Sequence, residues 1–396
     1  MRRLTSAILA VALLTSVVAA TPASAAPARK IAYAQWDRPA ELRGGTLTGL
    51  RVSGGKLVLA DGAGTGTWLS PWESPGFDLT RLIASWSART PGDSDVRIEV
   101  RGRTAKRTSS WDSLARWAAT DRHVKRSTYA AQPDDLGSVN VDTWVVPNGV
   151  SSYQLRVTLT RRGTGPSPSV DVVGAMASRL PAVTTVATSK PGVAKGITLD
   201  VPRYSQMVHR GHYPQYGNGG QAWCSPTSTS MVLGYYDALP EPAAYAWVAP
   251  GHVDPWVDHA ARLTYDHQYQ GAGNWPFNTA YAATLTDTAF VTRLRSLREA
   301  ELFIKAGIPV IASIAFGRGQ LTGAPISSSA GHLLVIVGFT ESGDVVVNDP
   351  AAPTRSGVRR TYDRGQFENA WLPKSGGTVY VIAHDAHPLP TSKGNW

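Results

Sequence analysis

Between residues 31 and 180, apolar and polar side chains alternate with a period of two. The pattern is carried by "GKLVLA" from Gly55, "RLIASWSA" from Arg81, "DVRIEVRG" from Asp95, "SYQLRVTLTR" from Ser152 and "SVDVVGAMAS" from Ser169. Successive side chains of a strand point to opposite faces, so this alternation predicts strands with one face in a core. Clusters of Gly, Pro, Asp and Ser separate the segments, and the region reads as an all-β sandwich. It holds Trp36, Trp68, Trp72, Trp86, Trp111, Trp117 and Trp144. Most of these are expected between the sheets, with one or two free to form an exposed aromatic platform.

The periodicity fades over "LPAVTTVATSKPGVAKG", and residues 181–196 read as a linker. From Ile197 the spacing becomes mixed. "SPTSTSMVLGYYDAL" predicts a helix starting near Cys224, and "DPWVDHAARLTYDHQ" from Asp254 a second. "SLREAELFIKAG" predicts a third, with Ser296 and Glu299 as a capping box and Gly307 as its stop. "IPVIASIAF" from Ile308 reads as a buried strand. "HLLVIVGF" from His332 and "VVVND" from Val345 flank "ESGD" as a hairpin. "RRTYDRGQFENAWL" from Arg359 predicts a strand and a short helix, and "GTVYVIAH" from Gly377 a closing strand. The fold class is therefore α+β: an all-β sandwich over 31–180 followed by a mixed domain over 197–385.

Arg2 and Arg3 precede the apolar run "LTSAILAVALLTSVVAA" and "ASA" at 23–25, the pattern of a secretory signal peptide over residues 1–25. No later apolar run is long enough to span a membrane. The expectation is an exported chain of two domains. Formal net charge is +10, falling to +8 without the two leader arginines. Only 17% of residues are charged and no Lys/Arg run occurs, which argues against a nucleic-acid partner. A basic exported protein can still adhere to an anionic cell wall.

The chain has one cysteine, so no internal disulfide can staple it. Cys224 is either a buried inert thiol or a reactive one. Gly219 and Gly220 permit a tight turn before it, and Pro226 suits the first turn of a helix. The positive end of a helix dipole favours thiolate, the nucleophilic form. Such a nucleophile needs a base, and His332, at the mouth of an apolar strand after "SSSAG", is the best placed of the nine histidines. His209 and His212 lie in a loop with no third ligand nearby, so no metal site is expected. His252, His259 and His267 are expected at the surface, and His384 and His387 lie near the tail.

Asn348 or Asp349 would orient the base. With Ser342 and Gly343 as a two-residue turn, position 349 faces position 336 and shares the face of His332, whereas Asn348 points the other way. That register leaves Asp349 roughly 13 Å along the strand from His332. A bulge or an uneven turn must shorten the distance, and a bulge can also exchange the two residues. Donors for an oxyanion would be the backbone N–H of Cys224 and the side-chain amide of Gln206 or Gln221.

Together "LDVPRYSQ" from Leu199, "WCSPTSTSMVL" from Trp223, "GHLLVIVGF" from Gly331 and "VVVNDP" from Val345 resemble the bacteriocin-leader (double-glycine) peptidase-like family of papain-like cysteine peptidases. The resemblance covers roughly 197–385 and implies a papain-like α+β cysteine peptidase domain. It implies Cys224 as nucleophile, His332 as base, Asp349 as its orienting group and Gln206 as oxyanion donor. It favours Gln206 over Gln221 and Asp349 over Asn348. Ser225 follows the cysteine where the family often has Gly, and the stretch from Gln206 to Cys224 is long. The chain resembles the freestanding exported branch, not the members joined to membrane-spanning export ATPases. The expected function is hydrolysis of peptide bonds in a peptide or protein substrate through an acyl-enzyme, with no cofactor. Trp223, Trp275 and Phe277 are expected to contact substrate, and residues 317–331 to form a mobile flap beside His332. The competing readings are an acyl or amide transferase on the same scaffold, and a non-catalytic wall- or carbohydrate-binding protein built on the Trp-rich sandwich.

Overall fold

The computed structural model describes residues 28–396 apart from 130 and 134; the expected leader over 1–25 lies outside the described residues. The N-terminal strands are β1 (Lys30–Trp36), β2 (Thr46–Thr48), β3 (Leu50–Ser53), β4 (Lys56–Leu59), β5 (Thr65–Leu69), β6 (Leu79–Arg89) and β7 (Asp95–Arg103). They continue with β8 (Asp112–Trp117), β9 (Ser127–Thr128), β10 (Ser138–Asn140), β11 (Thr143–Val150), β12 (Ser152–Thr160) and β13 (Ser169–Arg179), with one short helix, α1 (Pro39–Arg43). They form two antiparallel sheets. One has the order β10-β11-β6-β13-β4-β3, with β1 also on β13; the other has the order β2-β5-β12-β7-β8-β9.

Alternation along β6 and β13 explains how this sandwich meets the rest of the chain. Leu82, Ala84 and Trp86, with Val173, Ala175 and Ala177, face the core between the sheets. The intervening Ile83 and Met176 belong to a second core shared with the C-terminal half. The sheet is therefore buried on both faces, where simple alternation predicts one face in water. Trp36, Trp68, Trp86, Trp117 and Trp144 are buried as expected. Trp72 and Trp111 are half-buried, and guanidinium groups lie over their rings: Arg101 and Arg103 over Trp72, and Arg101 and Arg156 over Trp111.

The C-terminal half contains α2 (Cys224–Tyr235), α3 (Pro255–Thr264), α4 (Trp275–Ala282), β14 (Thr288–Arg293), α5 (Leu297–Lys305), β15 (Val310–Phe316), β16 (Ser329–Phe339), β17 (Val345–Asn348), β18 (Arg359–Tyr362), α6 (Arg364–Trp371) and β19 (Thr378–Ala383). Its antiparallel sheet has the order β14-β19-β15-β16-β17-β18. The whole is α+β. Helix α4 and strand β14 are additional to the sequence expectation. Both are short, and α4 is buried on nearly all sides between the two halves, so it shows no amphipathic face. The expected capping box of α5 does not form. Glu299 accepts the Arg295 N–H, while Ser296 makes no side-chain cap.

Residues 181–196 do not hang free. Ser189 N–H donates to Glu368, Arg364 donates to the Ser189 carbonyl, and Ala194 N–H donates to Glu301. The two halves are joined further by the Arg262–Asp121 pair, by Thr128 to Asp266, and by Phe277 of α4, whose ring meets Trp86 edge-on at 6.2 Å inside the sandwich core. The tail returns to the first strand, where Tyr33 N–H donates to the Gly394 carbonyl at 2.8 Å.

A core that crosses between the halves predicts a single unfolding unit. Phe277→Ala should cost about 3–5 kcal/mol and lower the melting of both halves together. Calorimetry with near-UV circular dichroism checks this; two separate transitions would contradict it.

Candidate active site

Helix α2 is enclosed on every side: Ser225 through Leu233 are all buried. Three of its hydroxyls find partners inside, while that of Thr227 has none among the described residues. Ser225 meets the Tyr380 hydroxyl at 2.8 Å, Ser228 donates to the Leu333 carbonyl, and Thr229 donates to Asn278. Cys224 is the first residue of this helix, half-buried, at the floor of a cleft of about 970 Å³. Gly220 shows why glycine precedes it. A Cβ there would collide with the Gln206 carbonyl and the backbone of His209, so the loop can lie flat on the Gln206–His209 turn only without a side chain.

His332 sits on β16 and reaches the same cleft. Its Nε2 lies 2.8 Å from Asp349 Oδ1. The ring is also hydrogen-bonded to the Cys224 thiol. Nε2 is committed to the carboxylate, which leaves Nδ1 for sulfur.

The hairpin register accounts for this reach. The observed pairs are Phe339↔Val345 and Gly338↔Val346, then, beyond a bulge at Val337, Ile336↔Val347 and Val335↔Asn348. The turn is one residue out of the expected register and the bulge adds another. A shift of two preserves the face and brings Asp349 opposite Leu334, about 7 Å along the strand from His332 instead of 13 Å. Asn348 keeps the opposite face. Its amide donates to the Val201 and Pro202 carbonyls, and its oxygen accepts from Arg359.

Asp349 is buried and fully engaged. The Tyr362 hydroxyl donates to Oδ2 at 2.7 Å and the Ala351 amide to Oδ1 at 3.0 Å. Tyr362 was not a sequence candidate. It sits one strand away on β18, and only the sheet order brings it in. Burial alone would raise the Asp349 carboxyl. The His332 charge and hydrogen bond, with Tyr362 and Ala351, outweigh burial and hold it below its ordinary value. Burial opposes a charged His332, yet Asp349 and Cys224 push it up to about 10. Burial also pushes the Cys224 thiol up, but the His332 hydrogen bond, its charge and the Leu333 amide bring the net direction down. All three directions favour a thiolate beside an imidazolium.

Gln206 is buried beside the cleft, held by its N–H to the Pro350 carbonyl, and its Nε2 donates to the Gln221 carbonyl at 2.8 Å. Gln221 is exposed, and its side chain ties the loop to Asn218 and Gly211. Trp275 lines the cleft. Trp223 does not serve as expected. It is fully buried, with its indole N–H on the Tyr216 carbonyl, because it forms the apolar seat under the start of α2. Phe277 points into the sandwich core instead. The 317–331 loop is pinned by buried Leu321, by Thr322 N–H to Gln366 and by Arg360 to the Gly323 carbonyl.

Residues 198–379 match the Peptidase_C39 like family, and residues 32–178 match the Peptidase C39 N-terminal domain. The chain is a C39-like, papain-like peptidase family member. No curated protein is significantly similar to it.

In this C39-like chain the N-terminal half supplies one wall of the cleft, which sequence reasoning missed. Asn140, Val141, Asp142 and Thr143, at the tip between β10 and β11, line it together with Arg81. Val141 holds φ 55°, a strained value for a β-branched residue. Asp142 accepts the Trp275 N–H at 3.0 Å; burial, the largest influence, pushes its carboxyl up to about 6. Arg293 is buried against the same cleft with Nε and Nη1 unpartnered. Burial, then the charges of Arg81 and Arg29, lower it to about 9.

The histidines correct two expectations. His259 is buried, and His252 and His267 are partly covered. A third donor does lie near His209 and His212: Asp258 of α3, with the three ligand atoms within 4.8 Å of one another.

The charge arrangement predicts a window of thiolate–imidazolium pairing from the depressed Cys224 value up to about 10, the raised His332 value. Iodoacetamide alkylation of Cys224 should stay fast below the ordinary thiol range. In His332→Ala the lowering partner is gone while burial remains, so the alkylation midpoint should move above the ordinary thiol value.

Proposed function

We propose that this chain is a cysteine peptidase that hydrolyses peptide bonds through Cys224, His332 and Asp349. The observation that carries the reading is the continuous line from thiol to imidazole to buried carboxylate at the floor of the cleft. The Cys224 thiolate attacks the scissile carbonyl carbon, and the C=O electron pair moves onto oxygen. The Cys224 backbone N–H and the second Nε2–H of Gln206 receive that oxyanion. Collapse re-forms the carbonyl and breaks the C–N bond, while His332 gives its proton to the departing amine. His332 then takes a proton from water, which attacks the thioester and releases the carboxylate product and Cys224 thiolate. Asp349 keeps the ring oriented and stabilises its charged form. We read the protein as exported, from the leader pattern over 1–25, and its positive charge as suited to an anionic cell wall.

The cleft also favours a substrate bearing a carboxylate. Among the described residues Arg293 makes no ion pair, the Asp142 charge reaching it only from a distance, and Arg81 and Lys374 stand exposed around the cleft. A guanidinium buried without a directly paired carboxylate is costly, and a substrate carboxylate would offset that cost.

A transferase on the same scaffold would form the same acyl-enzyme, so the fate of the acyl group decides between them. A peptide library digested by wild type should give free carboxylates even with added amine. Dominant amide products would favour the transferase. Cys224→Ala should abolish turnover, and Asp349→Asn should lower kcat by about 10²–10⁴-fold. Arg293→Gln should raise KM for carboxylate-bearing peptides by about 10–100-fold and leave neutral peptides unchanged. Equal effects on both peptide classes would remove the proposed preference.

A further inference from the structure

Behind the cleft, three imidazoles converge on one carboxylate. His209 Nδ1 lies 2.9 Å from Asp258 Oδ2, His212 Nδ1 lies 2.9 Å from Oδ1, and His252 Nδ1 lies 3.4 Å from Oδ1. His209 and Asp258 are fully buried. Among the described residues no Lys or Arg pairs with Asp258; its ion-pair partners are all histidines. His252 Nδ1 is itself buried and makes no hydrogen bond. The His212 and His252 rings stack at 3.5 Å with 17° between their planes. Two imidazolium ions would repel in that position, so one ring at least offers a lone pair.

We propose that His209, His212, His252 and Asp258 form a structural site for one divalent transition-metal ion, Zn2+ by the chemistry of the donors. Imidazole nitrogen with one carboxylate oxygen is a borderline donor set suited to Zn2+. Ligands on a tetrahedral Zn2+ stand about 3.3 Å apart; the ligand atoms of His209, His212 and Asp258 all lie within 4.8 Å of one another, so these three close in on the ion and the stacked His252 ring turns to join them. The dication supplies the charge that buried Asp258 otherwise lacks. Entry is open from the His212 and His252 side, where both side chains keep some exposure.

The site would act on the nucleophile through the loop between them. His209 ends the turn that begins at Gln206, and its ring packs 6.1 Å from Trp223, the residue before Cys224. None of the four ligands lines the cleft. The metal would therefore tie the 206–223 loop to α3 and take no part in bond breaking.

The test uses the purified full chain, stripped with chelator and titrated with Zn2+ alone, then with Co2+ as a spectroscopic probe. The expected result is one equivalent bound, a rise in thermal midpoint, and visible Co2+ bands of a four-coordinate site. Cys224→Ala should retain all three, which excludes the thiol as ligand. Asp258→Asn and the milder, partly exposed His252→Ala should lose the equivalent or weaken it strongly. Substoichiometric metal with no thermal shift in wild type would overturn the proposal and leave a hydrogen-bonded histidine cluster. So would binding that Cys224→Ala abolishes. Neither outcome bears on the peptidase reading, which does not depend on the metal.

Discussion

A histidine can be held charged inside a protein only if a carboxylate arrives within hydrogen-bond distance, and here the arrival depends on strand register. Val337 is the extra residue of the β16–β17 pair. Were Val337 paired with Val347 in a regular ladder, Asp349 would fall opposite Val335 and change faces relative to His332, because one residue of slip inverts every side chain of a strand. The remainder of the site serves that contact. Tyr362 and the Ala351 amide occupy the other lone pairs of the carboxylate, so a buried charge is solvated by fixed dipoles where water cannot reach. The charge is then passed along: carboxylate stabilises imidazolium, and imidazolium stabilises thiolate.

The sandwich is part of this arrangement. Its β6–β13 face is buried by the peptidase half, and its β10–β11 tip forms a cleft wall. Asp142 joins the two by accepting the first amide of α4. A negative group suits the start of a helix, where amides lack intrahelical acceptors. The strained Val141 beside it is held between β10 and β11 and lines the cleft. A wall built from a different sheet can vary without disturbing the Cys224–His332–Asp349 line.

Much of the fold was legible because period-two alternation and helical spacing survive wherever one face meets water or one core. Helix α2, enclosed on every side, is marked instead by the glycines and Pro226 at its start, whereas the sandwich strands, α3, α5 and the β16–β17 hairpin follow from such patterns. Helix α4 and strand β14 do not, since burial on both sides erases the amphipathic signal. Of the candidate site, Cys224 and His332 stood out by local context, a helix start and a strand mouth, while Asp349 over Asn348 and Gln206 over Gln221 were favoured by the resemblance to the leader peptidase-like family. Tyr362, Asp142, Arg293 and Asp258 were not legible. Each reaches its place through sheet order or helix packing between segments far apart in sequence. Trp223 misled because an aromatic beside a candidate nucleophile suggests contact with substrate, whereas its indole is needed as packing under the helix start.

Asn348 and Asp349 look like rivals for one task, but the strand gives each its own. Adjacent residues in extended backbone face opposite ways. Asp349 turns toward His332, and Asn348 turns toward the Val201 and Pro202 carbonyls of the segment that leads to Gln206. The next residue, Pro350, accepts the Gln206 N–H. Three consecutive residues therefore fix the imidazole on one side and the buried amide on the other. Any displacement of this strand end moves both in concert, so the distance between the proposed base and the proposed oxyanion donor is conserved even when the surrounding loops adjust. Linkage of this kind needs no direct contact between His332 and Gln206; it follows from the pleat of a single strand.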